Sequence, residues 1–195
     1  MQLMLIRHGE TDWNSTGRYL GQTDVPLNHR GKGQARDVSL RVKEFKPDYL
    51  YSSDLQRAQE TARVLETNLS LPVQTDRRLR EIDFGYWEGK TYHELSPEDK
   101  KVSNDWFSEP ETVRLPGGEA FSTFKNRVLA FSKELLLTHQ GEKVVVVTHG
   151  GPIRVLITHY FSMPTGYASR LQIEPATLNR IDFFGLLGFL RHLNA

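Results

Sequence analysis

The chain alternates short apolar runs with longer amphipathic stretches. Runs of strand length occur at residues 3–6, 49–53, 144–147, 178–184 and 188–193. Apolar positions at helical spacing occupy residues 31–45 and 121–135. The four consecutive valines at 144–147 indicate a strand that is buried on both faces. The pattern therefore predicts an α/β protein that begins β-α-β.

Two of the strand-length runs end in the same kind of chemistry. Arg7 and His8 follow the first run, and His149 follows the run of valines. Because the carboxyl ends of parallel strands meet at one edge of a sheet, the two imidazoles are expected to share a pocket. A guanidinium binds phosphate oxygens through its N–H donors, and a neutral imidazole beside it is an available nucleophile. The alternative is a pair of ordinary hydrogen-bonded histidines at strand ends.

Two further polar residues are predicted to point at this edge. Ser53 or Asp54 is expected to cap a helix that carries Arg57 in its first turn, where side chains lean back toward the strand ends. Asn14 lies in a loop shortly after His8, within reach of whatever His8 contacts. The alternatives are a solvated arginine on a surface helix and an Asx-turn asparagine.

Carboxylates and aromatic residues are mixed in the irregular segment from residue 79 to 89. A carboxyl group packed among aromatic rings can hold a proton near neutrality and act as a general acid. Glu81, Asp83 and Glu88 are the candidates, with exposed loop acids as the alternative. Residues 91–116 are expected to fold over the crevice.

The composition limits the possible functions. The 195 residues, 38% of them hydrophobic, fit a single domain over residues 1–195. No cysteine is present, and a net charge of +1 without a basic stripe argues against a nucleic-acid partner. No apolar stretch approaches the roughly 20 residues that span a bilayer, so no membrane partner and a cytoplasmic location are expected. Neither a His-Glu-x-x-His motif nor a Walker-type glycine loop occurs.

Four motifs together resemble the signatures of the histidine phosphatase, or phosphoglycerate mutase-like, superfamily. They are residues 5–11, Ser53-Asp54 with Arg57, the segment around Glu81, and Thr148-His149-Gly150-Gly151. Their order and spacing agree with that superfamily up to about residue 155. The resemblance implies a three-layer α/β/α sandwich around a mostly parallel central sheet, with no metal and no other cofactor.

The resemblance also implies roles for individual residues. It makes His8 the nucleophile that becomes phosphohistidine, and Glu81 the proton donor. It assigns the catalytic phosphate pocket to Arg7, Arg57 and His149, and it assigns substrate contacts to Asn14, Gly21, Gln22 and Gly150. Leu20 departs from the pattern, because several members have a small or amide side chain there. The flanking arginines are expected to lower the pKa of His8.

Within the superfamily, the modest length and residues 81–89 and 116–119 resemble the α-ribazole phosphatases of cobalamin biosynthesis. The implied reaction removes the 5′-phosphate from a benzimidazole riboside, a small phosphorylated metabolite. Four aromatic residues are expected either to stack on the base or to fill the core, namely Tyr86, Trp87, Trp106 and Phe107.

Other functions stay open. A broad-specificity small-molecule phosphatase is the nearest alternative, and a phosphoglycerate mutase would be expected to carry an additional insertion. A phospho-ligand binding module would be expected to lack His8 or Glu81, and a metal-dependent hydrolase would lose activity to a chelator. The chain is expected to be a monomer or a homodimer.

Overall fold

The computed structural model of the protein describes residues 1–195 and has a six-stranded central sheet in the order β3-β2-β4-β1-β5-β6. The strands are β1 (Gln2–Arg7), β2 (Tyr49–Ser52), β3 (Val73–Thr75), β4 (Lys143–Thr148), β5 (Leu178–Phe184) and β6 (Leu187–His192). The first four in chain order are parallel, and β5 and β6 are antiparallel to their neighbours. The predicted mostly parallel sheet is therefore confirmed.

Helices cover both faces of the sheet. They are α1 (Asp12–Ser15), α2 (His29–Lys43), α3 (Gln56–Leu69), α4 (Pro97–Ser108), α5 (Phe121–Thr138) and α6 (Gly150–Tyr160). Four short 3-10 helices lie at Arg77–Leu79, Gly85–Trp87, Tyr92–Glu94 and Thr165–Arg170. None of the helices has both the length and the apolar character needed to cross a membrane.

Two hydrophobic clusters fill the space between the three layers. Because side chains alternate along a strand, Met4 and Ile6 of β1 pack with apolar residues of α2 and α3. Leu3 and Leu5 face the other way and pack with apolar residues of α4, α5 and α6. The expected three-layer α/β/α sandwich is confirmed.

The strands β1 and β4 lie side by side at the centre of the sheet. Their register pairs Arg7 with Thr148, so both strands end at the same level. The other sheet partner of β1 is β5, so both of its neighbours follow residue 142 in the chain. Val144 to Val147 have no exposed surface, as the sequence predicts for a strand covered on both faces. This register brings His8 and His149 to one edge.

The predicted cap of α3 is wrong. The N-cap residue is Leu55, which forms no side-chain capping bond. Asp54 instead accepts two hydrogen bonds from Arg80, at 2.7 and 2.6 Å, and the hydroxyl of Ser53 lies 2.9 Å from an imidazole nitrogen of His149. Both side chains are therefore committed to distant partners.

Gly9 allows the backbone of β1's end to approach the backbone of α2 closely. Its backbone φ is not positive, and a Cβ at this position would lie 2.5 Å from the carbonyl oxygen of Gly31. A Cβ at Gly31 would lie 2.0 Å from the carbonyl oxygen of Glu10. The tip of β1 therefore packs directly, backbone against backbone, on the first turn of α2.

This contact predicts opposite effects for two alanine substitutions in α2. Gly31→Ala should lower the free energy of unfolding by about 1–3 kcal/mol, because the new methyl group meets backbone that has little freedom to move. Gly33→Ala in the same helix should raise it by about 0.5–1 kcal/mol, because its Cβ has no neighbour within 4 Å. Urea unfolding at a constant m-value measures both, and equal midpoints for the two variants would contradict the packing argument.

Candidate active site

His8 is held as the neutral imidazole with a lone pair on Nε2. Its Nδ1 lies 2.7 Å from the carbonyl oxygen of Gly9, which can only accept, so Nδ1 carries the proton. Its Nε2 accepts a hydrogen bond from Arg57 Nε at 3.2 Å. Burial lowers the pKa of His8 well below its usual value, and the charges of Arg57 and Arg7 lower it further. The lowered pKa that the sequence predicts for His8 is confirmed in direction. The imidazole ring is buried.

His149 lies beside His8 at the end of β4. The two ring centroids are 5.0 Å apart, so the convergence predicted from the two strand ends is confirmed. Burial holds the pKa of His149 well below its usual value, and the charge of Arg57 adds to this effect. Its Nε2 is 2.9 Å from Ser53 Oγ, whereas its Nδ1 is buried and has no hydrogen-bond partner.

Arg57 is a fully enclosed cation at the start of α3. Besides His8, its guanidinium donates to the carbonyl oxygens of Gly21 at 2.6 Å and Thr23 at 3.0 Å. Burial lowers the pKa of Arg57 to about 10, which leaves the side chain charged at neutral pH. The alternative of a solvated surface arginine is therefore wrong.

Two more guanidinium groups lie next to this cluster. Arg7 donates from Nη1 to the carbonyl oxygen of Ile173 at 2.7 Å, and its buried Nε has no partner. Arg154, on α6, donates from Nε to the carbonyl oxygen of Leu171 at 2.7 Å. Burial lowers the pKa of both arginines, and for Arg7 the charge of Arg154 adds to the effect. Unpaired donors beside two neutral imidazoles form a site for a compact anion.

Glu81 contributes a carboxylate to the same place. Its two carboxylate oxygens accept hydrogen bonds, each at 2.9 Å, from the backbone amides of Ile82 and of Gly151, at the start of α6. A Cβ at Gly151 would lie 2.0 Å from Glu81 Oε1, so this glycine lets the carboxylate approach the helix end. The segment before Glu81 is held by Arg127 of α5, which donates to the carbonyl oxygens of Arg78, Arg80 and Glu81.

A cavity of about 310 Å³ is lined by part of this site, including Arg7, Glu81, Gly150 and Arg154. His8, Arg57 and His149 are buried and do not line it. Aromatic residues also line the cavity, namely Tyr19, Phe84, Trp106, Phe107, Phe121 and Phe124. The expected covering by residues 91–116 is confirmed, since Trp106, Phe107 and Pro110 line the cavity. The other two aromatic candidates do not line it, because Trp87 is fully buried in the core and Tyr86 is 74% exposed.

The predicted substrate contacts fall in two groups. Asn14 and Gly150 line the cavity, and Asn14 also closes the capping box of α1 with Thr11. Gly21 and Gln22 do not line it. The carbonyl of Gly21 binds Arg57, and the side chain of Gln22 bridges Arg80 and the carbonyl oxygen of Glu81.

The other two candidate carboxylates of this segment, Asp83 and Glu88, accept hydrogen bonds from backbone amides. Asp83 accepts a hydrogen bond from the amide of Gly85, and Glu88 accepts from the amides of Gln22, Thr23 and Phe84. Of the three acids, Glu81 alone lines the cavity.

Two site residues escaped the sequence reasoning. Arg127 carries no motif signal, since its partners are backbone carbonyls and Glu119, and Arg154 lies outside the four motifs. The spacing of Arg154 four residues after Gly150 places both on one face of α6, which is the signal that could have identified it. No group of three or more His, Cys, Asp or Glu side chains is arranged to hold a metal ion.

The fold and this cluster define an α/β protein with a paired-imidazole anion site, and residues 3–195 match the model of the histidine phosphatase superfamily (branch 1). The chain belongs to this superfamily.

Particular relatives carry different names. A Yersinia pestis (strain Pestoides F) relative named "Probable phosphoglycerate mutase GpmB" is 33% identical over 183 residues, 94% of this chain and 85% of that protein. The structure of the alpha-ribazole phosphatase from Shigella flexneri is 32% identical with a TM-score of 0.89, and the match covers 100% of this chain and 96% of that one. The structure of mycobacterial glucosyl-3-phosphoglycerate phosphatase Rv2419c with VO3 is 28% identical with a TM-score of 0.89, covering 100% and 98%.

The lowered pKa values of His8 and His149 predict a specific loss of stability in acid. Unfolding returns both pKa values to about 6.5, so the unfolded chain takes up protons first as the pH falls. The free energy of unfolding keeps the full contribution of the two neutral imidazoles above pH ~6.5. Below that pH it decreases, with a slope of up to about 1.4 kcal/mol per pH unit for each imidazole.

Urea unfolding between pH 7 and 5 measures this slope. His149→Ala should reduce the slope even though it also lowers stability at every pH. An identical slope in wild type and His149→Ala would contradict the assignment.

Proposed function

We propose that this protein is a phosphomonoesterase that acts through a phosphohistidine on His8 and that its substrate is α-ribazole 5′-phosphate. The observation that carries the proposal is the hydrogen-bonding of His8. The carbonyl oxygen of Gly9 accepts a hydrogen bond from Nδ1–H, so the lone pair of the ring is on Nε2, where Arg57 donates to it. The second imidazole lies beside this ring. A neutral nucleophile surrounded by phosphate-binding donors is what attack on phosphorus requires.

The arrangement supports a two-step reaction. The phosphoryl dianion is held by Arg7, Arg57 and His149, and its arrival displaces the Arg57–His8 hydrogen bond so that Nε2 can attack. The cycle begins with a proton on the Glu81 carboxyl group. As the N–P bond forms and the ester P–O bond breaks, Glu81 gives this proton to the leaving oxygen. Glu81 then takes a proton from water, the water oxygen attacks phosphorus, and the P–N bond breaks to release inorganic phosphate.

The aromatic residues that line the cavity support a leaving group that carries an aromatic ring. Trp106 and Phe107 lie at the end of α4 and line the cavity, and flat apolar surfaces of this kind stack on ring systems such as benzimidazole. The similarity to the Shigella flexneri alpha-ribazole phosphatase supports the same substrate.

A phosphorylated hydroxy acid is the second candidate substrate, and Arg154 favours it. Its Nε is bound to Leu171, while the two outer nitrogens of its guanidinium have no protein partner at the cavity. A carboxylate on the leaving alcohol would satisfy them. Two of the relatives carry phosphoglycerate in their names.

The mechanism predicts that His8→Ala lowers kcat for phosphomonoesters by at least about 10³-fold, because the nucleophile is removed. Wild-type protein quenched during turnover of labelled substrate should carry acid-labile, alkali-stable phosphate, which His8→Ala should lack. His192→Ala is the matched control and should keep both properties. Turnover should survive a chelator, and appreciable turnover by His8→Ala would exclude the mechanism.

Glu81→Gln tests the proton donor. The variant should slow hydrolysis of α-ribazole 5′-phosphate more than hydrolysis of p-nitrophenyl phosphate, since p-nitrophenolate leaves without needing a proton. The ratio of the two kcat/KM values is the measurement. An equal loss for both substrates would contradict the role of Glu81 as the acid.

The two candidate substrates are separated by comparing KM values. If the substrate carries a carboxylate at Arg154, Arg154→Gln should raise KM for 3-phosphoglycerate about tenfold or more and leave KM for α-ribazole 5′-phosphate nearly unchanged. Arg18→Gln is the matched control, because Arg18 also lines the cavity but is already paired with Glu94. An equal increase for both substrates would place Arg154 on the phosphoryl group and remove the argument for a hydroxy acid.

A further inference from the structure

Ser53 lies between β2 and α3 in a position that affects the second imidazole. The side chain has no exposed surface, and its hydroxyl oxygen is 2.9 Å from Nε2 of His149. On the other side of the same ring, Nδ1 is buried without a partner. A buried polar atom without a partner is costly, so it requires an explanation.

The proton positions follow from the groups around Ser53. The amide of Leu55 donates to Ser53 Oγ at 3.4 Å, and the hydroxyl proton of Ser53 needs an acceptor of its own. Nε2 of His149 is the acceptor within reach, and it can accept only if it carries no proton. Because burial and Arg57 keep the ring neutral by lowering the pKa of His149, its single proton is then on Nδ1.

We propose that Ser53 is a positioning residue whose hydroxyl fixes His149 as the Nδ1–H tautomer, so that the unpartnered Nδ1–H donates a hydrogen bond to the transferring phosphoryl group. The assignment rests on the proposed function. A donor fixed in advance stabilises the charge on the phosphoryl oxygens, whereas the opposite tautomer would present a lone pair to an anion.

Ser52 provides a matched control at the preceding position. Its side chain is equally buried, and its hydroxyl donates to the carbonyl oxygen of Ser53 at 2.8 Å and forms no hydrogen bond with either imidazole. Ser52→Ala and Ser53→Ala therefore each remove one buried hydroxyl from the same strand end. Only Ser53→Ala removes the hydrogen-bond partner of His149.

The test combines kinetics with nitrogen NMR of the imidazoles. Ser53→Ala should lower kcat by about 10²-fold with KM changed much less, whereas Ser52→Ala should lower kcat by less than about threefold. Ser53→Thr keeps the hydroxyl and should restore most of kcat. In wild-type protein, ¹⁵N shifts should show His149 protonated on Nδ1 and not on Nε2, and Ser53→Ala should lose this single form.

The spectrum needs no substrate, so this inference and the proposed reaction can fail separately. A wild-type His149 protonated on Nε2 would overturn the role of Ser53 whatever the enzyme hydrolyses, and so would equal kinetic losses in Ser52→Ala and Ser53→Ala. If Ser53→Ala does not fold, the wild-type spectrum and the activity of Ser53→Thr decide the question.

Discussion

The site depends on a positive charge placed where water cannot reach it. Arg57 has no exposed surface, and an enclosed cation is stable only when its donors are matched by acceptors. Two backbone carbonyls, from Gly21 and Thr23, provide acceptors and thereby fix the loop after α1 against the start of α3. The third hydrogen bond runs from Nε to His8. The Arg57 side chain therefore fixes the loop, holds the nucleophile and lowers its pKa.

Charged side chains bind the backbone of the irregular segments around the site. Arg127 donates to the carbonyl oxygens of Arg78, Arg80 and Glu81, and Glu119 in turn binds Arg127 at 2.8 Å. Glu88 binds backbone amides in the same way, since its carboxylate accepts hydrogen bonds from the amides of two separate loops. Loops are normally mobile. Here the hydrogen bonds between charged side chains and the loop backbone give the loops the fixed geometry that a reaction centre needs.

The sequence predicted those parts of the fold and site that depend on local pattern. An apolar run followed by Arg7 and His8, or by His149, identifies a strand and the chemistry at its tip, because both signals lie within a few residues. The role of Ser53 and Asp54 was mispredicted because their partners are 96 and 26 residues away. The constraint on Gly9 is the backbone of Gly31, which lies in another element and gives no local signal. Arg127 binds backbone carbonyls, and such contacts leave no trace in composition or periodicity.

The pairing of β1 has a consequence for synthesis of the chain on the ribosome. β2 and β3 can pair as soon as residue 75 has emerged, but β1 has no neighbour until residues 143–148 arrive. At translation speeds of about 5–20 residues per second, this apolar strand waits on the order of ten seconds with its edges open. The strand that delivers the nucleophile is thus an apolar segment that stays without its sheet partners through most of synthesis.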